Sequence, residues 1–446
     1  MSKVNFKNKN TVIMGLGLHG GGLGVAQWFL KHQANLIITD LKSSQELKVS
    51  LQPLQAAKNI TYTLGKHLMT DFAKADIVVA NPIVRQNNQY LQKARQQGAL
   101  IYNDASLFLQ YCPAKVVGIT GTKGKSTTAS LTHHLLKQGS RRVFLGGNIR
   151  ISPFVFLDKL TEKDLVVLEL SSWQCEGLPA IKKSVELAVI TNFAKDHLNS
   201  YPSYAAYKVA KLNLFKYQKK GDTAIHHQDI KTVVGKGERM IFNSGVRNYF
   251  KNNFLYINQK KVLARGKIAL IGQHNEENIL AAICIAQQLK ISTAKIVNGL
   301  SSFRGLTGRA ELIRTKAGVR YINDTTATAP VAAIATFKAI LPPKILIAGG
   351  VDKKLEYQAF ASLIAKNSKN IILLPGSATV ILVKLFDKLH YHDYHLVKSM
   401  KAAVVLSSKL AQTGDTVLLS PGAASFGLFQ HEFDRGEHFI KAVKTL

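Results

Sequence analysis

Three times along this 446-residue chain a short apolar run ends in a glycine-containing loop and gives way to a helical pattern. No other feature constrains the fold as tightly. TVIMGLG leads into GVAQWFLKHQ, with NLIITD and DIVVANP beyond it. The rhythm restarts at KVVGITGTKGKSTTASLTHHLLKQ and continues through DLVVLELSS and VELAVITNF. It restarts again near KILIAGG, NIILLPG and DTVLLSPGAAS. Strands that alternate with helices in this way pair in parallel, because the crossover returns the chain to the same edge of the sheet. The expectation is an α/β chain of three domains, over residues 1–110, 111–304 and 305–446, each built on a parallel sheet.

Charge narrows the partners. Lys and Arg number 59 against 27 Asp and Glu, a formal net charge of +32, and a surface that basic attracts anions. The cations are spread along the chain, with small clusters such as Lys216 to Lys220 and Lys260 to Lys267, and without a basic tail or an interleaved aromatic run. A nucleic-acid partner is therefore not expected. Cys112, Cys175 and Cys284 are too few and too scattered for a disulfide framework, which fits a reducing compartment. The basic start MSKVNFKNKN followed by an apolar run imitates a secretory signal, but six glycines and His19 break the run. A cytoplasmic protein without membrane insertion is expected.

Two glycine motifs point to nucleotides. Gly15-x-Gly17-x-x-Gly20 follows a strand and precedes a helix, and Asp40 closes the next strand. Such a turn lets the backbone approach a diphosphate at a helix N-terminus, and an acid at the position of Asp40 reaches a ribose. By itself the motif fits NAD or another nucleotide diphosphate, a UDP-sugar included. The second motif, GITGTKGKSTT, resembles a P-loop. Gly121, Thr122, Lys123, Gly124 and Thr127 would wrap the phosphates of ATP, Lys125 would reach the β- and γ-phosphates, and Ser126 would meet Mg²⁺. Its spacing departs from the strict form, since Gly118 falls one residue too early. Glu169 at the end of DLVVLEL, and Asp196 and His197 after VITNF, stand where α/β sites form, with Lys208 and Lys211 on the helix that follows.

Ten segments taken in order resemble the motifs of the Mur ligase family, the ATP-dependent amide ligases of peptidoglycan precursor synthesis. They are GLGLHG; GITGTKGKST; GGNIRISP; LELSSWQCE; TNFAKDHLN with AYKVAKLNLF; GQHNEENILAA; GLTGRAE; NDTTATAP; AGGVDK; and LLSPGAASFGLF through FDRG. Within the family the resemblance is to the members that add D-glutamate, and it covers nearly the whole chain. It implies a Rossmann-like UDP-binding domain, a central P-loop ATPase domain and a Rossmann-like C-terminal domain for the incoming amino acid. It also assigns the first glycine motif to UDP rather than NAD. Folylpolyglutamate synthases share the last two domains but begin at the ATPase domain, so the N-terminal segment argues against that relative.

The chemistry implied by the resemblance has two steps. The carboxylate of UDP-N-acetylmuramoyl-L-alanine takes the γ-phosphoryl group of ATP, and the amine of D-glutamate then displaces phosphate from the acyl phosphate. Carried over by position, Lys125, Glu169, His197 and Lys211 form the catalytic set. Ser126, Glu169, His197 and Lys211 would hold two Mg²⁺ ions, with Lys211 as a CO₂-derived carbamate, which calls for a lysine of lowered pKa. Leu18, His19, Asp40 and Lys42 would surround UDP, and Asn148, Ser171 and Gln174 the muramoyl-alanine end. Asn275, Asn278, Arg309 and Asp324 would serve ATP, and Thr328, Lys353 and Ser425 the carboxylates of D-glutamate. The expected state is a monomer. Three positions depart from the family pattern. Thr326 stands where some members carry lysine, Glu432 where some carry an aromatic (Phe433 is one place late), and Asn199 where an acid is usual. The first two leave the amino acid open between D-glutamate and another, such as L-glutamate.

Overall fold

The apolar runs singled out above are strands. Asn10–Met14 is the centre of a five-stranded parallel sheet in the order Ile60–Leu64, Asn35–Asp40, Asn10–Met14, Ile77–Ala80, Leu100–Tyr102. Lys115–Thr120 lies inside a six-stranded parallel sheet ordered Glu238–Phe242, Thr223–His227, Leu187–Ile190, Lys115–Thr120, Leu165–Glu169, Val143–Gly147. Val116 to Thr120 and Leu165 to Glu169 are buried without a break. That explains why these runs lack polar alternation: both faces of a parallel sheet are covered. In each sheet the chain places strands on one side of its first strand and then on the other. The crevice of an α/β sheet opens at that reversal, beyond the strand C-termini. Met14 and Thr120 end the two strands concerned, so both glycine motifs lie at such crevices.

This computed structural model describes residues 5–18, 20–196, 200–272 and 274–446. One unit, Met1–Arg265 with Glu277–Leu300, contains both sheets above. Its N-terminal and central parts share one apolar core that includes Phe29, Phe108, Phe154 and Leu168. A single carboxylate fastens them further: Asp158 accepts from Trp28 Nε1 at 2.8 Å and contacts Lys31 Nζ at 2.5 Å and His32 Nε2 at 3.1 Å. The unit also carries a small antiparallel sheet, Asn248–Lys251, Phe254–Ile257 and Lys260–Ala264, which the α/β rhythm did not announce. Its two-residue turns, Asn252-Asn253 and Asn258-Gln259, hold positive φ throughout, the geometry that closes tight hairpins.

The second unit is Gly266–Glu276 with Ser301–Leu446. Its sheet runs Glu311–Lys316, Val319–Asn323, Thr416–Leu419, Lys344–Gly349, Asn370–Leu374, Tyr394–Leu396. All pairs are parallel except the first. Only the short turn at Ala317-Gly318 joins those two strands, and a link that short forces them antiparallel. No helix among the described residues is long and apolar enough to cross a membrane.

Candidate active site

The loop between strand Lys115–Thr120 and helix Lys125–Leu136 is closed by contacts too tight for any side chain at its glycines. A Cβ on Gly121 would stand 1.9 Å from Thr191 Oγ1, and one on Gly124 2.1 Å from Asn278 Oδ1. Both residues hold positive φ, a region that only glycine enters cheaply. The neighbouring strand's exit stitches the loop in place. Asn192 clasps the Lys123 peptide, accepting from its N–H at 2.9 Å and donating to its carbonyl at 3.1 Å. Thr191 donates to the same carbonyl at 2.6 Å, and Tyr207 donates to Thr122 Oγ1 at 3.2 Å. The early Gly118 is part of the strand, not of the loop, where a Cβ would meet Val185 at 2.8 Å. At the loop's end the first N–H groups of a helix, Ser126 and Thr127 among its first residues, have no intrahelical acceptor and suit an anion.

Two ammonium groups meet under this loop. Lys125 Nζ donates to the carbonyls of Gly121 and Thr122 at 3.0 and 2.9 Å. Lys211, 1% exposed on helix Tyr204–Lys216, donates to Gly121 O at 2.8 Å and lies over the Tyr207 ring. Burial first, and then the Lys125 charge, pushes the Lys211 amine down to about 7. Asp196, Glu169 and Cys175 act in the opposite sense, too weakly to restore it. Lys123 reaches outward to Asp196 at 3.1 Å. Glu169 closes its strand 1% exposed. Its Oε1 accepts from Asn148 Nδ2 at 3.1 Å, while its Oε2 is buried with no hydrogen-bond partner among the described residues. An orphaned carboxylate oxygen is costly unless something else occupies that position. His197 and Asn199 lie outside the described residues, as does His19.

Asn148 connects this region to a cavity of about 620 Å³ above the N-terminal sheet's crevice. Leu18, Lys42, Asn148, Ser171 and Gln174 all line it. Asp40 supports its rim, accepting from the Gly17 and Lys42 N–H groups at 3.1 and 2.9 Å. Ser171 caps a short helix reciprocally with Gln174, and Gln174 Nε2 donates to Asp104 at 2.9 Å. Asp104 is a lining residue that sequence reasoning missed, and burial raises its carboxyl above the usual range. Trp173 and Asn81 line the cavity too and were equally unforeseen.

Asn275 and Asn278 sit three residues apart near the start of helix His274–Gln288. Asn275 donates to Ile271 O, and Asn278 Oδ1 accepts from Thr128 Oγ1 at 3.2 Å. The other expected residues belong to the second unit: Asp324, Thr328, Lys353 and Ser425 on loops after the C-terminal ends of adjacent strands, and Arg309 just before strand Glu311–Lys316. Asp324 accepts from Ala310 N–H at 3.1 Å and Ser420 Oγ at 2.8 Å. Burial pushes its carboxyl up to about 6 against those bonds and the Arg309 charge. Lys353 Nζ donates to Thr328 Oγ1 at 3.0 Å, and Ser425 is buried. Thr326, the first departure, turns its hydroxyl onto Gly308 O at 2.9 Å. Glu432 opens helix Glu432–Thr445 and offers its carbonyl to Thr325 Oγ1 at 2.6 Å.

Known proteins carry the same plan. Three family models match in succession: the MurD-like N-terminal domain over 9–103, the Mur ligase middle domain over 119–286 and the Mur ligase glutamate ligase domain over 308–422. A UDP-N-acetylmuramoylalanine--D-glutamate ligase of Roseiflexus sp. (strain RS-1) is 37% identical over 463 residues, spanning 98% of each chain. One of Borreliella burgdorferi (strain ZS7) is 38% identical over 454 residues, spanning 99% of this chain and 98% of that one. The UDP-N-acetylmuramate-alanine ligase of Thermotoga maritima has the same fold, with a TM-score of 0.62 at 19% identity over 98% of this chain and 99% of that one. Likeness at that level along the whole length, with all three models in their proper order, places the chain in the Mur ligase family.

Proposed function

We propose that the protein is an ATP-dependent ligase of peptidoglycan precursor synthesis, joining D-glutamate to UDP-N-acetylmuramoyl-L-alanine with release of ADP and phosphate. The observation that carries this reading is the meeting of Lys125 and buried Lys211 on the Gly121 carbonyl. It occurs in a chain whose relatives along its full length bear that ligase's name. The chemical problem is to bring a carboxylate to a triphosphate, and both are anions. Lys125 and the helix that begins there offset the repulsion and hold the phosphate oxygens in line. The substrate carboxylate attacks the γ-phosphorus as its bond to the ADP oxygen breaks. The glutamate amine then attacks the acyl carbon, and phosphate departs.

The donor set fits divalent cations. Glu169 Oε2 is buried and unpartnered among the described residues, and Ser126 supplies a hydroxyl at the helix start, both hard oxygen donors. We assign Ser126, Glu169, His197 and carbamylated Lys211 to two magnesium ions, which when bound would neutralise charge on the transferring phosphoryl group. Lys211 is suited to carbamylation because its amine is partly neutral near pH 7. Leu18, His19, Asp40, Lys42, Asn148, Ser171 and Gln174 are assigned to the UDP-sugar. The loop from Gly121 to Thr127, Asn275, Asn278, Arg309 and Asp324 are assigned to ATP, and Thr328, Lys353 and Ser425 to the amino acid. The domain division 1–110, 111–304, 305–446 and a monomeric, cytoplasmic enzyme complete the reading.

The deciding experiment measures ADP formation with ATP, Mg²⁺ and UDP-N-acetylmuramoyl-L-alanine across D-glutamate, L-glutamate and other amino acids. ADP formation dependent on D-glutamate is the expected result. Absence of any amino-acid dependence overturns the ligase reading, and dependence on L-glutamate alone overturns the choice of amino acid.

A further inference from the structure

The FDRG segment carries Arg435, the largest fully buried side chain among the described residues, 1% exposed on helix Glu432–Thr445. Its three hydrogen bonds among the described residues all end on neutral oxygens. Nε donates to Thr325 Oγ1 at 3.1 Å, Nη2 to Thr325 O at 2.8 Å and Nη1 to Ala423 O at 3.0 Å. Thr325 Oγ1 in turn donates to Glu432 O at 2.6 Å, which closes a circuit between the helix start and the loop after Asn323. The next residue must be small for the helix to come this near: a Cβ on Gly436 would stand 2.8 Å from Thr325 Cγ2 and 3.2 Å from Asn323 Nδ2.

Arg435 thus adds a buried side-chain tie between two loops that are otherwise joined near their strands, by Gly422 N–H to the Ala327 carbonyl at 2.9 Å and Ser420 Oγ to Asp324 at 2.8 Å. One runs from Thr325 to Thr328, whose hydroxyl meets Lys353, and the other from Ala423 to Ser425. A tie between neutral oxygens does not need a charge, and burying an ion among neutral acceptors is unfavourable unless a counter-charge arrives. Glu432 and Asp324 act on the guanidinium only at longer range, and neither forms one of its three bonds.

We infer that Arg435 is a positioning residue for the amino-acid pocket: it sets the spacing of the loops that carry Thr328 and Ser425 and supplies a fixed positive charge to receive a dicarboxylate. The inference rests on the assignment of Thr328, Lys353 and Ser425 to the amino acid. It predicts that specificity for an acidic amino acid depends on a residue that never touches it.

The test is steady-state kinetics on the full chain for Arg435→Gln, Arg435→Lys and Thr325→Val. Arg435→Gln should raise KM for D-glutamate by about 30-fold or more, with KM for ATP and the UDP-sugar within about twofold. Arg435→Lys should recover much of that loss, because it restores the charge. Thr325→Val keeps the arginine and removes one acceptor, and should raise KM for D-glutamate by about fivefold. Equal rises in all three KM values, or glutamine serving as well as lysine, would overturn the inference. Should Arg435→Gln fail to fold, an unchanged KM in Thr325→Val overturns it instead. Thr328→Ala and Lys353→Ala separate the two levels. If they leave KM for D-glutamate unchanged, the pocket assignment is wrong; if they raise it while the Arg435 and Thr325 variants do not, only the role of Arg435 is wrong.

Discussion

Lys211 and Lys125 share an acceptor, the Gly121 carbonyl, at 2.8 and 3.0 Å. Two cations so close raise each other's cost, and the one cut off from water yields its proton first. Below about pH 7 the Lys211 amine is charged, and above it the neutral, nucleophilic form dominates. Stimulation of turnover by bicarbonate in CO₂-depleted buffer should therefore be small at pH 6 and grow towards pH 8. Lys211→Arg, which stays charged throughout, should lose activity by about 100-fold or more and show no bicarbonate response. A bicarbonate response that is flat across this range would argue against carbamylation.

Lys125 lies outside the cavity assigned to the UDP-sugar. Lys125→Ala should lower turnover by about 1,000-fold while leaving the Kd for the UDP-sugar within about threefold, as read by calorimetry. Parallel loss of both would contradict the division of labour between the phosphate loop and the cavity.

Asp158 fastens the first helix to the segment that follows the cavity wall, through Trp28, Lys31 and His32. Burial would raise its carboxyl, but the bonds from Lys31, Trp28 and His32 outweigh it and hold the group below its usual value. A depressed acid contributes stability above its unfolded pKa, and that contribution is lost as the pH falls through the folded value. Asp158→Ala should lower the unfolding temperature of the first unit by about 2–6 °C at pH 7 and by less near pH 3. It should also raise KM for the UDP-sugar several-fold without changing KM for ATP, since Ser152 and Pro153 line the cavity just ahead of the fastened segment.

Asp324 is shifted the other way. With its carboxyl raised to about 6 by burial, the fold favours the protonated acid. The cost of ionisation is absent below the usual carboxylate range and complete above pH 6. Asp324→Asn should therefore stabilise the second unit at pH 8 by about 2–4 °C in unfolding temperature, with no gain at pH 4, because Ser420 can turn to accept from the new amide. The same change should weaken ATP use, which a KM measurement would reveal. Greater stability bought with lower activity is the expected pattern for a buried acid kept for function.

Much of this site is legible in the chain because its frame is local. Strand, glycine turn and helix follow one another from Lys115 to Leu136, and hydrophobic period with glycine placement announces each part. Thr191, Asn192 and Tyr207 were invisible as loop stitches, since their contacts join residues 68 to 85 positions apart. Asp104 was missed for the same reason, being 70 positions from Gln174. The antiparallel sheet from Asn248 to Ala264 did carry a signal, the paired turn residues Asn252-Asn253 and Asn258-Gln259, but the surrounding α/β rhythm obscured it.

By itself the sequence determined the parallel α/β layout, the phosphate loop and the family, because these rest on short-range pattern and on which residue types sit at the ends of strands. Only the tertiary structure decided that Lys211 titrates near neutrality, that Glu169 keeps an oxygen in reserve and that Arg435 is dry. Loss of solvent is a property of all the atoms that surround a group. Those atoms come from strands and helices that no reading along the chain brings together.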